Sequence, residues 1–241
     1  MSLLRRIELG DLRFALRYFA RHKAATAIIV AVLALGTGAN TVIFSLFQAE
    51  FLRPGPAVPD DEALVRLWGR ERPTLTASWQ PRLFSHAELT ALASRRETFD
   101  DVAGWTDGEI IVRGHDTTGA IGAHAQFVTP NFFRALGVRL AAGQGLRDAT
   151  GDEPDLTAVM AFTIAERLQG GAAAAVGQTV LVNEIPVTVV GVAPPRFQGA
   201  LRNMEEPVLW MPLSARATVG RLSPRWLADS AALSLFARLA P

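Results

Sequence analysis

Between Lys23 and Glu50 the chain carries no charged side chain. At about 1.5 Å per residue, a helix over Ala24 to Ala49 reaches past a hydrocarbon core of roughly 30 Å. This stretch constrains the fold more than any other, because lipid satisfies no backbone group and a lone span must be helical. It reads as one retained transmembrane helix. A cleaved signal is the weaker reading: the basic leader is long, the apolar run is longer than a signal core, and the candidate site reads Phe47-Gln48-Ala49 rather than A-x-A.

Ala27, Ala31, Ala34, Gly38, Thr41 and Ser45 recur at steps of four, three, four, three and four, which sets them on one helix face. Small residues allow close helix–helix approach in lipid. Asn40 also lies within the span, where an amide needs a partner. These seven positions are the candidate packing residues. No second run of spanning length occurs in the sequence, so the neighbouring helices are expected from another copy, another subunit or a missing part of the gene.

Arg5, Arg6, Arg13, Arg17, Arg21 and Lys23 precede the span, whereas residues 50–70 hold only Arg53, Arg66 and Arg70 as basic residues. The positive-inside rule puts the N-terminus in the cytoplasm and the bulk of the chain outside the inner membrane. Residues 1–23 read as a basic amphipathic segment. Either it lies on the lipid surface or it extends the membrane helix. A net charge of +1 gives no case for nucleic acid, and the absence of cysteine excludes disulfides and thiolate chemistry. Hydrophobic content of 49% and five tryptophans indicate a real core.

Beyond the span the pattern is α+β, several strands with short helices between them. Strands are expected at 63–68, 109–113, 120–128, 155–161, 179–182, 185–192, 208–211 and 233–239. A loop is expected over 69–81. Ser85 and Glu88 form a capping box opening a helix to about Arg96, with Phe84 and Leu89 placed as a hydrophobic staple. Thr129 is expected as the N-cap of a helix closed by Gly137. Thr163 and Glu166 are expected as a second capping box, with Gly170-Gly171 as its stop. Asn183-Glu184 is read as a tight hairpin turn. Because the chain stops directly after a strand, the domain is expected to be C-terminally incomplete.

No constellation for chemistry stands out. A P-loop needs its lysine at the phosphates, and the sole lysine, Lys23, has the wrong context. No G-x-S-x-G elbow or H-E-x-x-H pair occurs. His22, His86, His115 and His124 read as solvated surface residues, and Asp100-Asp101 and Asp107/Glu109 as loop carboxylates. Trp68, Trp79 and Trp105 read as core aromatics rather than the lining of a groove. No catalytic, cofactor-binding or metal-binding residue is expected, and an enzyme is the remotest class.

Several stretches resemble one family. The segment from Leu12 to Pro54, with ALGTGANT at Ala34–Thr41 and IFS at Ile43–Ser45, resembles the start of MacB/FtsX-type ABC transporter permeases, particularly the duplicated orphan permease group. So do ALVRLWG, Phe127–Leu146, Val176–Gly199 and Leu209–Ser214, in collinear order. The resemblance implies a MacB-like periplasmic core domain over 50–241 following a transmembrane helix over 24–49. It implies a permease-type subunit of the efflux or export kind, with no cofactor of its own. The partners are then other permease helices or a second copy, membrane lipid and a separate ABC ATPase, which drives the outer domain by mechanotransmission. The family continues past the last strand into three further helices, so the resemblance also implies a fragment. The rival class is a membrane-anchored periplasmic binding or sensor module without transport.

Overall fold

The computed structural model describes residues 17–47, 63–72, 74, 78–114, 119–147, 154–199 and 206–240. The chain divides into two units, Met1–Arg53 and Pro54–Pro241, each described by itself. In the first unit, α1 runs over Lys23–Phe47 for 25 residues. A helical run at 17–21 precedes it, and a bend at His22 leaves the hydrogen bonding continuous: the His22 amide donates to the Tyr18 carbonyl at 3.2 Å and the Thr26 amide to the His22 carbonyl at 3.0 Å. The rest of the basic leader lies outside the described residues.

The second unit is built on a sheet containing β1 (Leu64–Leu67), β4 (Phe84–Ser85), β5 (Phe99–Gly114), β6 (Ala120–Val128), β7 (Ala142–Gly143), β8 (Thr157–Met160), β9 (Thr179–Val182), β10 (Ile185–Val192), β11 (Pro207–Pro212) and β12 (Ala231–Leu239). A separate ribbon pairs β2 (Gly69–Glu71) with β3 (Gln80–Arg82). The helices are short: α2 (His86–Ala93), α3 (Phe132–Ala135), α4 (Phe162–Gln169), α5 (Ala172–Ala175), α6 (Ala215–Val219) and α7 (Trp226–Asp229).

The sheet order is β1-β12-β5-β6-β11-β8-β10-β7, with β4 also on β12 and β9 joining β10 to β5. The pairings β5-β6-β11-β8-β10-β9-β5 therefore close a circuit, and β12 and β1 form a wing beyond it. Within the circuit β10 runs parallel to β8 and β11 parallel to β6, and the other ladders are antiparallel. A chain of aromatic rings ties wing to circuit. Trp105 meets Phe236 at 6.0 Å between centroids, Phe236 meets Phe132 at 5.5 Å, Phe132 meets Phe133 at 5.5 Å, and Phe133 meets Trp210 at 5.8 Å. Tilted and edge-on contacts of this kind add about 0.5–1.5 kcal/mol each beyond burial.

The α+β expectation holds, as do the strand positions named above and the Ser85/Glu88 box, in which the Ser85 side chain accepts from the Glu88 amide and the Glu88 carboxylate accepts from the Ser85 amide. That helix stops at Ala93, short of Arg96. Gly170 ends α4 at φ 73°, a left-handed conformation that glycine adopts without Cβ strain. Asn183 and Glu184 adopt φ of 49° and 67°, as the tight hairpin requires.

Four expectations fail. The stretch 69–81 is not simply a loop, since its two ends pair as β2 and β3. β5 is 16 residues long, so Asp100, Asp101 and Asp107 belong to a strand, and Gly104 is a packing glycine rather than a turn. A Cβ there would lie 2.5 Å from Leu89 and 2.8 Å from Leu235. Thr129 caps no helix, because its hydroxyl instead accepts from the Gly104 amide at 3.2 Å. Ala161 occupies the N-cap of α4 with no side-chain cap, so Thr163 lies inside the helix and makes no capping box. In both helices the strand before the helix fixes the entry, and tertiary pairing overrides the local cap signal.

Candidate functional site

Every candidate packing residue of α1 is solvent-facing. At about 100° per residue, Ala27, Ala31, Ala34, Gly38, Thr41 and Ser45 fall within roughly 40° of one line, while Asn40 and Gly36 point to the opposite side. The helix thus carries one small-residue face, and Asn40 and Gly36 lie on the far side among Ile29, Val32 and Ile43. The Thr37 hydroxyl donates to the Leu33 carbonyl at 2.7 Å and the Thr41 hydroxyl to the Thr37 carbonyl at 2.8 Å, so neither needs an outside partner. The Asn40 amide has no hydrogen-bond partner among the described residues. That makes it the group in the span with most to gain from a neighbouring helix.

In the second unit, polar side chains of β5, β6 and β11 form a connected network. Gln126 is fully buried, accepts from the Trp210 indole at 2.9 Å and donates to the Asp107 carboxylate at 3.1 Å. His124 Nε2 lies 3.2 Å from the same carboxylate oxygen. The alternation of β6 was legible, but its polar face is not solvated throughout. Pairing with β11 buries Gln126, and His124 is 16% exposed rather than a free surface histidine. His115 lies outside the described residues. Beside the network runs a groove of about 670 Å³ lined by Glu109, Ile111, His124, Asn183, Glu206 and Val208, among others. Among the described residues no three histidine, aspartate or glutamate side chains are arranged to hold a metal ion.

Asp101 binds the neighbouring α3 segment, accepting from the Asn131 amide group at 2.5 Å and from Arg134 at 3.1 Å. At the other end of the wing, Arg82 forks onto Glu88, with its second nitrogen 2.9 Å from Oε2. That guanidinium, with help from the Ser85 amide, holds the Glu88 carboxyl down at about 2. Trp105 is core, as expected, but Trp68 and Trp79 are 67% and 60% exposed. They flank the β2–β3 ribbon, an element that propensity over so few residues does not reveal.

The first and last described strands of the second unit lie side by side. β1 pairs antiparallel with β12 from Leu64↔Arg238 to Leu67↔Leu235, and the Leu239 amide donates to the Ala63 carbonyl at 2.8 Å.

The profile of the MacB-like periplasmic core domain family matches residues 26–241. The chain belongs to this family. No curated protein matches it. Among solved structures, the periplasmic region of MacB from Actinobacillus actinomycetemcomitans matches at 14% identity and a TM-score of 0.53, over 76% of this chain and 79% of that one. The extracellular domain of the noncanonic ABC-type transporter YknZ from Gram-positive bacteria matches at 14% identity and a TM-score of 0.50, over 74% of this chain and 84% of that one. At these identities the likeness shows the fold. The second unit is thus a MacB-like periplasmic core domain, with the fold of the MacB periplasmic region. A helix long and apolar enough to cross a membrane, Lys23–Ser45, precedes most of it.

Proposed function

We infer that this MacB-like protein is a permease-type subunit in which the outer domain is driven from the membrane, with a separate ABC ATPase as the motor and export as the outcome. The observation that carries the reading is the β1–β12 pair. The strand that follows α1 in sequence, β1, lies beside β12, with the N-terminal end of β1 next to the C-terminal end of β12. A displacement along the strands moves both together and is opposed by the whole ladder. A sideways displacement unzips the ladder one bond at a time, at about 1 kcal/mol each. The wing therefore transmits axial motion, and the ring contacts from Trp105 to Trp210 carry it into the strand circuit. Mechanotransmission requires this kind of element. On this reading α1 spans the inner membrane with its N-terminus cytoplasmic, the domain is periplasmic, and Ala27, Ala31, Ala34, Gly38, Thr41 and Ser45 pack against permease helices of another subunit or copy, with Asn40 facing a second neighbour.

The native chain lacks cysteine, so single cysteines report cleanly. Gly38→Cys and Thr41→Cys in native membranes should crosslink to a partner helix, and the yield should change when the ATPase is trapped with ATP and vanadate. Ile28→Cys and Leu35→Cys, about 100° and 80° around the helix from the small-residue line, should not. Equal crosslinking at all four positions, or yields indifferent to nucleotide, would sink the permease reading and favour an anchored binding or sensor module.

A further inference from the structure

The β2–β3 ribbon leaves the sheet at a gap. On the outer side of β12, β4 pairs with Ala231 and Leu233, and β1 pairs with Leu235 through Arg238. The chain passes from β1 through Trp68 into β2 and returns from β3 through Leu83 into β4, so the base of the ribbon stands over that gap. Gly69 makes this possible, since a Cβ there would lie 2.6 Å from the Arg82 carbonyl. The gap forms a groove of about 180 Å³ lined by Arg66, Trp68, Arg82, Leu83, Phe84 and Leu233, among others.

Two features distinguish this groove from an ordinary surface fold. The Arg66 guanidinium lies over the Trp68 ring, 4.1 Å from its centroid, and has no carboxylate partner among the described residues. Its partial burial there lowers its pKa from the ordinary arginine value. Trp68 and Leu83, which line the groove, are 67% and 46% exposed. Exposed tryptophan beside arginine is the composition of interface hot spots, and stacking pre-organises the guanidinium fork for a carboxylate. The charge balance has one sign: Arg66, Arg70 and Arg82 stand against Glu71 and Glu88, and Arg82 is already engaged by Glu88.

We propose that the groove at the base of the β2–β3 ribbon, with Arg66 stacked on Trp68, docks an extended acidic segment of a partner protein. A carboxylate of that segment sits on Arg66, and its apolar residues lie on Trp68, Leu83 and Phe84. The extended form fits because β1 is the terminal strand of the sheet among the described residues, so a strand-like segment can lie along it. This inference concerns a different surface from the membrane helix and does not depend on the transport reading.

The test uses the full chain in nanodiscs of zwitterionic lipid. The probe is a short fluorescent peptide alternating glutamate and valine, compared with its glutamine counterpart by anisotropy. The glutamate peptide should bind at least about tenfold more tightly, and Arg66→Gln and Trp68→Ala should each weaken it about tenfold. Arg139→Gln, on another part of the surface, should leave binding unchanged. Equal binding of the two peptides overturns the proposal and needs no variant, so a folding defect cannot leave the question open. Indifference to both Arg66→Gln and Trp68→Ala overturns it too. So does displacement of the peptide by phosphatidylglycerol vesicles that themselves bind through Arg66 and Trp68, because the occupant would then be a lipid surface.

Discussion

Gln126→Leu probes the polar network at the heart of the domain. Gln126 and Trp210 are both fully buried, so the substitution leaves the indole N–H without its acceptor at 2.9 Å. An orphaned buried donor costs about 1–3 kcal/mol. Asp107 also loses a donor at 3.1 Å, but it is 41% exposed and keeps His124, so screening holds that loss to about 0.5 kcal/mol. Replacing an amide by an isobutyl group returns up to about 1 kcal/mol of apolar burial. The net loss is about 2 kcal/mol, equivalent to a Tm drop of roughly 4–8 °C for a chain of this size. Urea unfolding of the full chain in micelles, followed by emission from the buried tryptophans, measures it as a shift in midpoint at constant slope. Gln126→Glu keeps an acceptor for Trp210 but sets a carboxylate against Asp107, which raises the pKa of the new group. Its stability should therefore be best at low pH and decline as pH rises through that raised pKa. A Gln126→Leu variant within about 0.5 kcal/mol of the parent, or a Glu variant with no such pH dependence, would refute the network.

Two further outcomes follow from local geometry. Gly143 pairs β7 with β10 at φ 74°, and a Cβ there would lie 2.2 Å from the Val190 carbonyl. Gly143→Ala should therefore cost about 2–4 kcal/mol and raise hydrogen exchange at Ala141 and Gln144, whose amides donate to Val192 and Val190. Glu88 is depressed to about 2 by Arg82 and the Ser85 amide. Its stabilisation is complete above the ordinary carboxylate pKa and is lost as pH falls from about 4.5 towards 2. After discounting for exposure the loss is about 1 kcal/mol, and Glu88→Gln should abolish that part of the pH dependence in acid unfolding curves.

Much of the fold was legible because it rests on local signals. The Ser85/Glu88 box, the stop at Gly170, the Asn183-Glu184 turn and the alternation of β6 each follow from a few adjacent residues. What was misread depended on partners distant in sequence. The stretch Asp100–Gly108 looked like a turn because aspartates and glycines are turn formers. It is a strand because β12 and β6 bracket it and because Gly104 admits Leu89 and Leu235. Gln126 looked solvated because alternation places it with His124, but alternation says nothing about whether β11 covers that face. Trp68 and Trp79 looked like core because tryptophan usually is, and only the pairing of β2 with β3 lifts them out.

The sequence by itself determined the membrane-length helix, its small-residue face, the α+β pattern and, through collinear motifs, the family. Each of these is a property of residue order, so periodicity and local chemistry suffice to reveal it. Tertiary structure alone decided that β1 and β12 are neighbours, that the strands close a circuit, that Gln126 is buried between Trp210 and Asp107, and that Arg66 stands over an exposed Trp68. All but the last are contacts between residues far apart in the chain, and the last depends on one, the pairing of β2 with β3 that leaves Trp68 exposed. Their existence depends on which long-range pairing buries the most apolar surface while satisfying every backbone group, and no local window carries that comparison.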